Sequence, residues 1–512
     1  MRTRKGRTIC GIVADYQADS RDGAGSSDFQ CAVDRLSHRG PDGRGTVAVG
    51  TARLGHRRLA IVDVEGGDQP LRAGDHYLVA NGEIYNHQVL RRRLRGPFTT
   101  GSDNEVILRL IAEQGCEALP ALRGMYAFCL ATAAGGFVAA RDPVGIKPLY
   151  WARRKGTVRF ASELRAFDAD WLETLEVFPP GHVWTPEQGL RRFASATQLG
   201  EEHAGQRSDE ADRTRAVRAA IVDAVERRMM ADVPVGVFLS GGLDSSIVAA
   251  VAAGVALRQE RRLLTFAVGT DGSADLQAAR RVAEHLGTDH HERVYTAEEA
   301  VAVLPHVVER LESYEPSLVR SAVPNYFLAE LAARTCKVVL TGEGADELFA
   351  GYAYLRDITG ESELHRELVA TVEGLHNLNL QRCDRMTMAH SLEARVPFLD
   401  LDVIALALHL PAGDKRSDDH RMEKHLLRTA FADLLPYDIA WRRKSQFGDG
   451  SGACDVLAAH AEAAVTDGQL RAAQAHLVPA PRSKEELVYQ QFFRRRFPGA
   501  ADTRILGRFA TA

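Results

Sequence analysis

The residues best suited to chemistry lie at 237–246, Val-Phe-Leu-Ser240-Gly241-Gly242-Leu-Asp244-Ser245-Ser246. An apolar stretch ends in two glycines and opens an Ala/Val-rich segment, a pattern that predicts strand, turn and helix. Such a junction points free backbone N–H groups and the positive end of a helix at an anion. The glycines allow close approach, and Ser240, Ser245 and Ser246 add hydroxyl donors. These groups suit a phosphate, although the Gly-Lys-Ser/Thr ending of a Walker A loop is missing. Asp244 is out of place beside an anion unless a cation accompanies it, so it reads as a Mg²⁺ ligand. A second candidate loop, Thr341-Gly342-Glu343-Gly-Ala-Asp346-Glu347, follows another short apolar run at 337–340. Seven cysteines, an odd number without a CxxC pair, argue against a disulfide scaffold and a spaced zinc site. Only 8 of the 64 basic residues are lysine, which draws notice to each lysine where a compact point charge is needed.

These loops need a scaffold. Val217, Ala220, Ile221, Ala224, Val225 and Met229 recur at helical spacing. Residues 235–239, 263–268, 292–295 and 337–340 read as strands, with helices at 244–257 and 278–286 between them. Alternation of this kind predicts parallel βαβ units, with ligands beyond the carboxyl ends of the strands. The first 190 residues differ. Short strands are predicted at 11–14, 59–64, 77–80, 127–130 and 137–140, interrupted by a helical pattern at 105–114. That mixture predicts an α+β layer structure in which sheets carry the core. The polar stretch 197–212 marks the boundary, giving units at 10–197 and 212–498, and the small polar tail 499–512 is expected to be mobile.

Composition narrows the function classes. The 512 residues are 45% apolar and 26% charged, as in ordinary globular proteins. A net charge of −4 and the lack of a basic-aromatic module exclude a global field for nucleic acid or anionic membrane. The longest nearly unbroken apolar run, 247–257, is far below the roughly 18 residues needed to span a bilayer. A cytoplasmic enzyme acting on small molecules is expected.

SGGLDSS resembles the pyrophosphate-binding loop of ATP pyrophosphatases. With the 341–347 loop, Arg395-Val-Pro-Phe-Leu-Asp400 and Met422-Glu-Lys424-His-Leu-Leu-Arg428, it resembles the synthetase half of the asparagine synthetase family. The resemblance implies that Leu239, Ser240, Gly241, Gly242, Asp244, Ser245, Ser246, Thr341 and Gly342 bind ATP, with the backbone of Val268 at the adenine. It implies Asp244 and Asp346 as Mg²⁺ ligands and Glu343 and Lys444 as catalytic residues. Lys444, in Arg442-Arg-Lys-Ser-Gln-Phe447, would stabilise charge as pyrophosphate leaves.

The amino-terminal half resembles the family's N-terminal-nucleophile glutaminase. The matching segments are Cys10-Gly-Ile-Val, Ser37-His-Arg-Gly-Pro-Asp-Gly43, Arg58-Leu-Ala-Ile-Val-Asp63, Asn81-Gly-Glu-Ile-Tyr-Asn86, Gly101-Ser-Asp103 and Arg141-Asp-Pro-Val-Gly-Ile-Lys147. This implies Cys10 as the nucleophile, with Asn81 and the Gly82 N–H as oxyanion donors. Arg58, Asn81, Glu83 and Asp103 would bind glutamine, Arg58 taking its carboxylate and Asp103 its ammonium. The cysteine's own α-amine, with a pKa of about 7.7–8.0, would serve as base. Family members begin at this cysteine, whereas MRTRKGRTI precedes it here. Removal of residues 1–9, by a protease or by Cys10 itself, is expected. Otherwise glutaminase activity is lost and free ammonia is the nitrogen source.

The whole chain is thus expected to be an α+β glutaminase domain of stacked antiparallel sheets, followed by an α/β parallel-sheet ATP pyrophosphatase domain with extra helices. The implied reaction joins a carboxylic acid to AMP and then to ammonia from glutamine, in a homodimer. The acceptor segment reads Glu312-Ser-Tyr-Glu-Pro-Ser317-Leu318-Val-Arg320, with Ser317 and Arg320 as acceptor-binding candidates. Leu318 stands where many members carry a second threonine. Two acceptors therefore stay open: aspartate, or another carboxylic acid turned into an amide or hydroxamate in secondary metabolism.

Overall fold

A computed structural model describes residues 10–18, 26–198, 209–415, 422–443, 450–500 and 502–509. The first half is built on two six-stranded antiparallel sheets. In spatial order the first sheet runs Glu176–Val177, Tyr150–Arg154, Thr157–Ala161, Gly11–Gln17, Ala52–Arg58 and Gly43–Val49. The second runs Gly189–Arg192, His182–Thr185, Phe137–Arg141, Gly124–Thr132, His76–Ile84 and Leu71–Ala73. Strand alternation decides which side chains meet. Ile12 and Ala14 pack with Val79, Ala127, Cys129, Phe137 and Phe160 between the sheets. Val13, one residue out of phase, faces the helix Ser26–Arg35 through Phe29 and Val33. The outer face of the second sheet is covered by the helix Glu105–Gln114, whose Val106, Ile107 and Leu110 meet Leu78, Ala80 and Phe128.

The second half holds a five-stranded parallel sheet in the order Asp289–Val294, Leu264–Gly269, Val235–Phe238, Val338–Leu340 and Glu393–Arg395. Helices Glu210–Arg228, Leu243–Arg258, Ala274–Leu286 and Pro316–Ala332 pack around it. The stacked antiparallel sheets and the parallel sheet are the layers expected from the sequence. Among the described residues, no helix is long and apolar enough to cross a membrane.

Three features add to or depart from the sequence reading. Residues 59–64 form no strand. Arg58 donates to the carbonyls of Asp63 and Val64 at 2.6 and 2.9 Å, which curls this segment back on itself. The edge strand Glu393–Arg395 was not foreseen, because a three-residue Glu-Ala-Arg run has no apolar signature; ion pairs stand in for apolar burial there. The tail is docked over residues 502–509: Ile505 is fully buried, and Arg508 pairs with Glu486. Residues 501 and 510–512 of that expectation, and 199–208 of the boundary, lie outside the described residues.

The two halves meet across buried charge. Arg39 Nη1 donates to Glu163 at 2.8 Å and to Asp384 at 2.7 Å. Arg385 lies 3.0 Å from Glu312, which also accepts from the backbone N–H groups of Leu164 and Arg165 at 3.0 and 3.1 Å. Truncating one partner leaves the others charged and unpaired, at a cost of about 3–5 kcal/mol. Arg385→Ala is therefore expected to lower the urea midpoint markedly, while Arg334→Ala, whose exposed pair with Glu330 is 4.0 Å long, should leave it almost unchanged.

Candidate active sites

The antiparallel ladder pairs Gly11 with Arg57, which sets Cys10 opposite Arg58. The Leu59 N–H donates to Cys10 Sγ at 3.4 Å, and Arg39 Nε donates to the Cys10 carbonyl at 3.1 Å. Asn81 is completely buried, and neither Nδ2 nor Oδ1 of its amide has a partner among the described residues. An unmet buried amide costs free energy unless a ligand meets it. Gly82 follows with φ +137, where a Cβ would stand 1.9 Å from the Met125 carbonyl, so only glycine fits. Asn104 Nδ2 holds the Gly82 carbonyl at 3.0 Å and Asp103 Oδ1 at 3.2 Å. Asp103 also accepts from the Ile84 N–H at 2.6 Å. Gly101 N–H donates to Asp63 at 2.7 Å, tying the loop that carries Asp103 to the loop that clasps Arg58.

Electrostatics bind this pocket together. Burial pushes the Cys10 thiol up to about 12, against the pull of the Leu59 N–H, and the charges of Glu393 and Glu83 add to the rise. Burial likewise raises Asp103 to about 6. Glu83 is raised well above the carboxylate range by burial and by Asp103, with Arg395 3.4 Å away opposing the rise.

The second site lies at the carboxyl ends of the parallel strands. Val235–Phe238 runs into Leu239 and Ser240, and Gly242 caps the helix Leu243–Arg258. Ser240 and Ser245 hydroxyls are 3.1 Å apart, Ser245 donates to the Gly242 carbonyl at 3.2 Å, and buried Ser246 Oγ has no partner among the described residues. Leu239 N–H donates to Phe266 O at 2.8 Å, placing the loop beside the strand that ends at Val268 and Gly269. Thr341 N–H donates to Arg395 O at 3.0 Å, and a Cβ on Gly342 would press on Asp244, so the second loop closes on the first. Asp244 and Asp346 converge on the Lys424 ammonium, with Nζ to oxygen distances of 2.6 Å to each. Glu343 pairs with buried Arg382 at 2.5 Å. Lys444 lies outside the described residues. Its flanks are anchored at the same place: Arg442 contacts Gly241 O at 3.3 Å and Asp275 at 2.9 Å, and Ser273 holds the Gly450 carbonyl at 2.8 Å.

Comparison with known proteins finds two family models along the chain. A family model described as asparagine synthase matches residues 216–359 and 356–508, and one described as glutamine amidotransferase domain matches 9–177. A glutamine-hydrolyzing asparagine synthetase of Asparagus officinalis is 41% identical over 487 residues, covering 91% of this chain and 82% of the relative. Asparagine synthetase B (glutamine-hydrolyzing) of Escherichia coli (strain K12) is 40% identical over 484 residues, covering 90% and 87%. The chain belongs to the asparagine synthetase family.

Within this member of the asparagine synthetase family, the acceptor candidates sit at the start of the helix Pro316–Ala332. The fork of Arg320 is filled: Nε donates to Glu485 at 3.1 Å, Nη2 makes a second short bond to the same carboxylate, and Tyr489 OH donates to it at 3.0 Å. Leu318 points into the core and is fully buried. Ala350 adopts φ +53, a left-handed conformation costing a residue with a Cβ about 1–2 kcal/mol. Sequence reasoning missed Lys424, Arg382, Glu485 and Glu393. Lys424 lay in the Met422–Arg428 segment that carries the resemblance and was marked by the scarcity of lysine, but neither gave it a role; nothing local marks Arg382 or Glu393.

Below its pKa, a thiol's reactive fraction rises about tenfold per pH unit. Alkylation of Cys10 by iodoacetamide, followed by peptide mass spectrometry, should therefore climb steadily from pH 7 to 10 with no plateau.

Proposed function

We propose that the protein is a glutamine-dependent asparagine synthetase, amidating aspartate with ATP through an acyl-adenylate and with ammonia from glutamine. The observation that carries this reading is the coexistence, in one chain, of a half-buried Cys10 thiol and an unsatisfied Asn81 amide in the first half with a glycine-serine loop and two converging carboxylates in the second. In the first pocket Cys10 attacks the glutamine side-chain amide, and the Asn81 amide with the Gly82 N–H receives the oxyanion. Arg58, Glu83 and Asp103 orient the amino acid by its α-groups. In the second, the 239–246 and 341–342 backbone and hydroxyl donors receive the phosphates, Val268 borders the adenine, Glu343 and Lys444 attend the adenylate, and Ser317 and Arg320 face the acceptor. Units 10–197 and 212–498 then correspond to the two half-reactions.

Magnesium fits the second site. Among the described residues no group of three His, Cys, Asp or Glu forms a metal cage, and Asp244 with Asp346 supplies the one or two carboxylates that Mg²⁺ takes when phosphates complete its shell. There it would neutralise phosphate charge during adenylation. The buried position of Leu318 removes the motive for a less polar acceptor, so aspartate is the reading retained. A cytoplasmic homodimer acting on small molecules, with neither nucleic acid nor membrane, completes it; the net charge of −4 supports the last part.

With MgATP and ammonia, aspartate is expected to drive pyrophosphate release and asparagine formation, whereas a panel of less polar acids stays near background. Silence with aspartate and turnover of another acid would overturn the assignment. The amine of Cys10 cannot act as base while Ile9 is joined to it, and burial holds the thiol protonated. Intact mass of glutaminase-active protein should therefore show a chain beginning at Cys10; activity with residues 1–9 attached would contradict the mechanism.

A further inference from the structure

Lys424 Nζ lies 2.7 and 2.6 Å from the two oxygens of Asp244 and 2.6 Å from Asp346. One ammonium therefore joins carboxylates from two loops. Its own position is strongly constrained. Lys424 is 2% exposed and adopts φ +58, a costly conformation for a residue with a Cβ. Its N–H donates to Lys415 O at 2.7 Å, and its carbonyl accepts from Arg428 N–H at 2.9 Å. The side chain passes directly over Gly351. A Cβ there would stand 2.3 Å from Lys424 Cε and 2.0 Å from Asp346 Oδ1, so any larger residue would push lysine and carboxylate apart.

Asp244 and Asp346 are the carboxylates assigned above to Mg²⁺, and the present inference rests on that reading. A metal held by both needs the space between them, which the ammonium fills. The two cations cannot share it, since unit charges a few ångströms apart repel by several kcal/mol at the effective dielectric of a protein site. Magnesium also dehydrates reluctantly and favours sites where phosphate oxygens complete its shell. A bare ion would have to evict the lysine and leave its charge without a partner. A metal arriving on ATP brings phosphate oxygens that can receive the three donors of the displaced ammonium.

We propose that Lys424 is the resident counter-ion of the metal site: it offsets part of the charge of Asp244 and Asp346 until MgATP arrives, excludes metal without nucleotide, and then moves onto the phosphates. No group is left without a partner, because the carboxylates exchange an ammonium for a divalent metal while the phosphates gain the ammonium. The same lysine is then in place to hold pyrophosphate as it separates from the adenylate.

The test is a Mn²⁺ titration of the full-length protein followed by electron paramagnetic resonance, with and without α,β-methylene-ATP. Without nucleotide, Lys424→Met is expected to bind Mn²⁺ at least about tenfold more tightly than wild type. With the analogue present, the variant should bind the nucleotide at least about tenfold more weakly, since a phosphate contact is lost. Equal Mn²⁺ affinity of the two proteins without nucleotide would overturn the proposal, as would undiminished analogue binding. Should Lys424→Met fail to fold, wild type alone decides. Tight Mn²⁺ uptake without nucleotide, abolished in Asp244→Asn, would overturn the proposal, and uptake only with the analogue would support it. Unchanged Mn²⁺ binding by Asp244→Asn in the presence of the analogue would overturn the metal reading itself, and this inference with it.

Discussion

Arg39 is the hinge pin of the molecule. Its guanidinium is fully buried, shared between Glu163 of the first half and Asp384 of the second, and its Nε reaches the carbonyl of Cys10. Burial alone would raise both carboxylates, yet Arg39, Arg385 and, for Glu163, His38 hold them below their ordinary range. Moving these ions out of water is expensive, and only directional pairing recovers the cost. The same directionality fixes register. An apolar contact would let the halves slide by an ångström, whereas a fork that must meet two carboxylates and a carbonyl allows one arrangement. Because the carboxylates are depressed in the folded state, the stability they contribute is present at neutral pH and is lost as pH falls through and below the usual carboxylate range.

From that seam the edge strand Glu393–Arg395 reaches both sites. Glu393 receives Lys147 of the first half at 3.1 Å, and Arg395 approaches Glu83 in the cysteine pocket. On its other side, Arg395 O accepts the Thr341 N–H at the start of the second phosphate loop. Three residues thus share contacts with the Cys10 pocket and the 341–347 loop, and neither can shift far without the strand.

The parts of this architecture legible in sequence are those governed by local rules. The glycine-serine turn after a buried strand, the alternating βαβ pattern and the helix Glu105–Gln114 follow from spacing and backbone chemistry, and all are present. Recognisable segments likewise drew attention to Cys10 and Asp103, which lie just before a strand and a helix, and to Asn81 and Gly82 within the strand His76–Ile84. The illegible parts depend on partners distant in the chain. Glu393–Arg395 is a strand because Lys147 and Glu83 compensate its charges, from nearly 250 and more than 300 residues away. Residues 59–64 lose their strand character because the side chain of Arg58 captures their carbonyls. The docked tail depends on Glu486, whose role no property of residues 499–512 discloses. Leu318 shows the converse: a departure that seemed to concern the acceptor is a matter of core packing.

A common electrostatic device runs through both pockets. Glu83 and Asp103, raised by mutual burial, are balanced by Arg395; Asp244 and Asp346 are balanced by Lys424; Arg320 is balanced by Glu485. In each case an internal charge stands where, on the proposed reading, substrate or metal would. A buried charge without a partner is intolerable, so a site meant to bind charged molecules must either stay wet or carry its own counter-ions. This chain takes the second course. Binding then becomes exchange between ion pairs already out of water, which lowers the desolvation cost at the moment of association and favours ligands that return a partner to the group they displace. Selectivity follows from that requirement: an amino acid or nucleotide bearing both signs of charge can complete the exchange, whereas a bare ion or a singly charged fragment cannot.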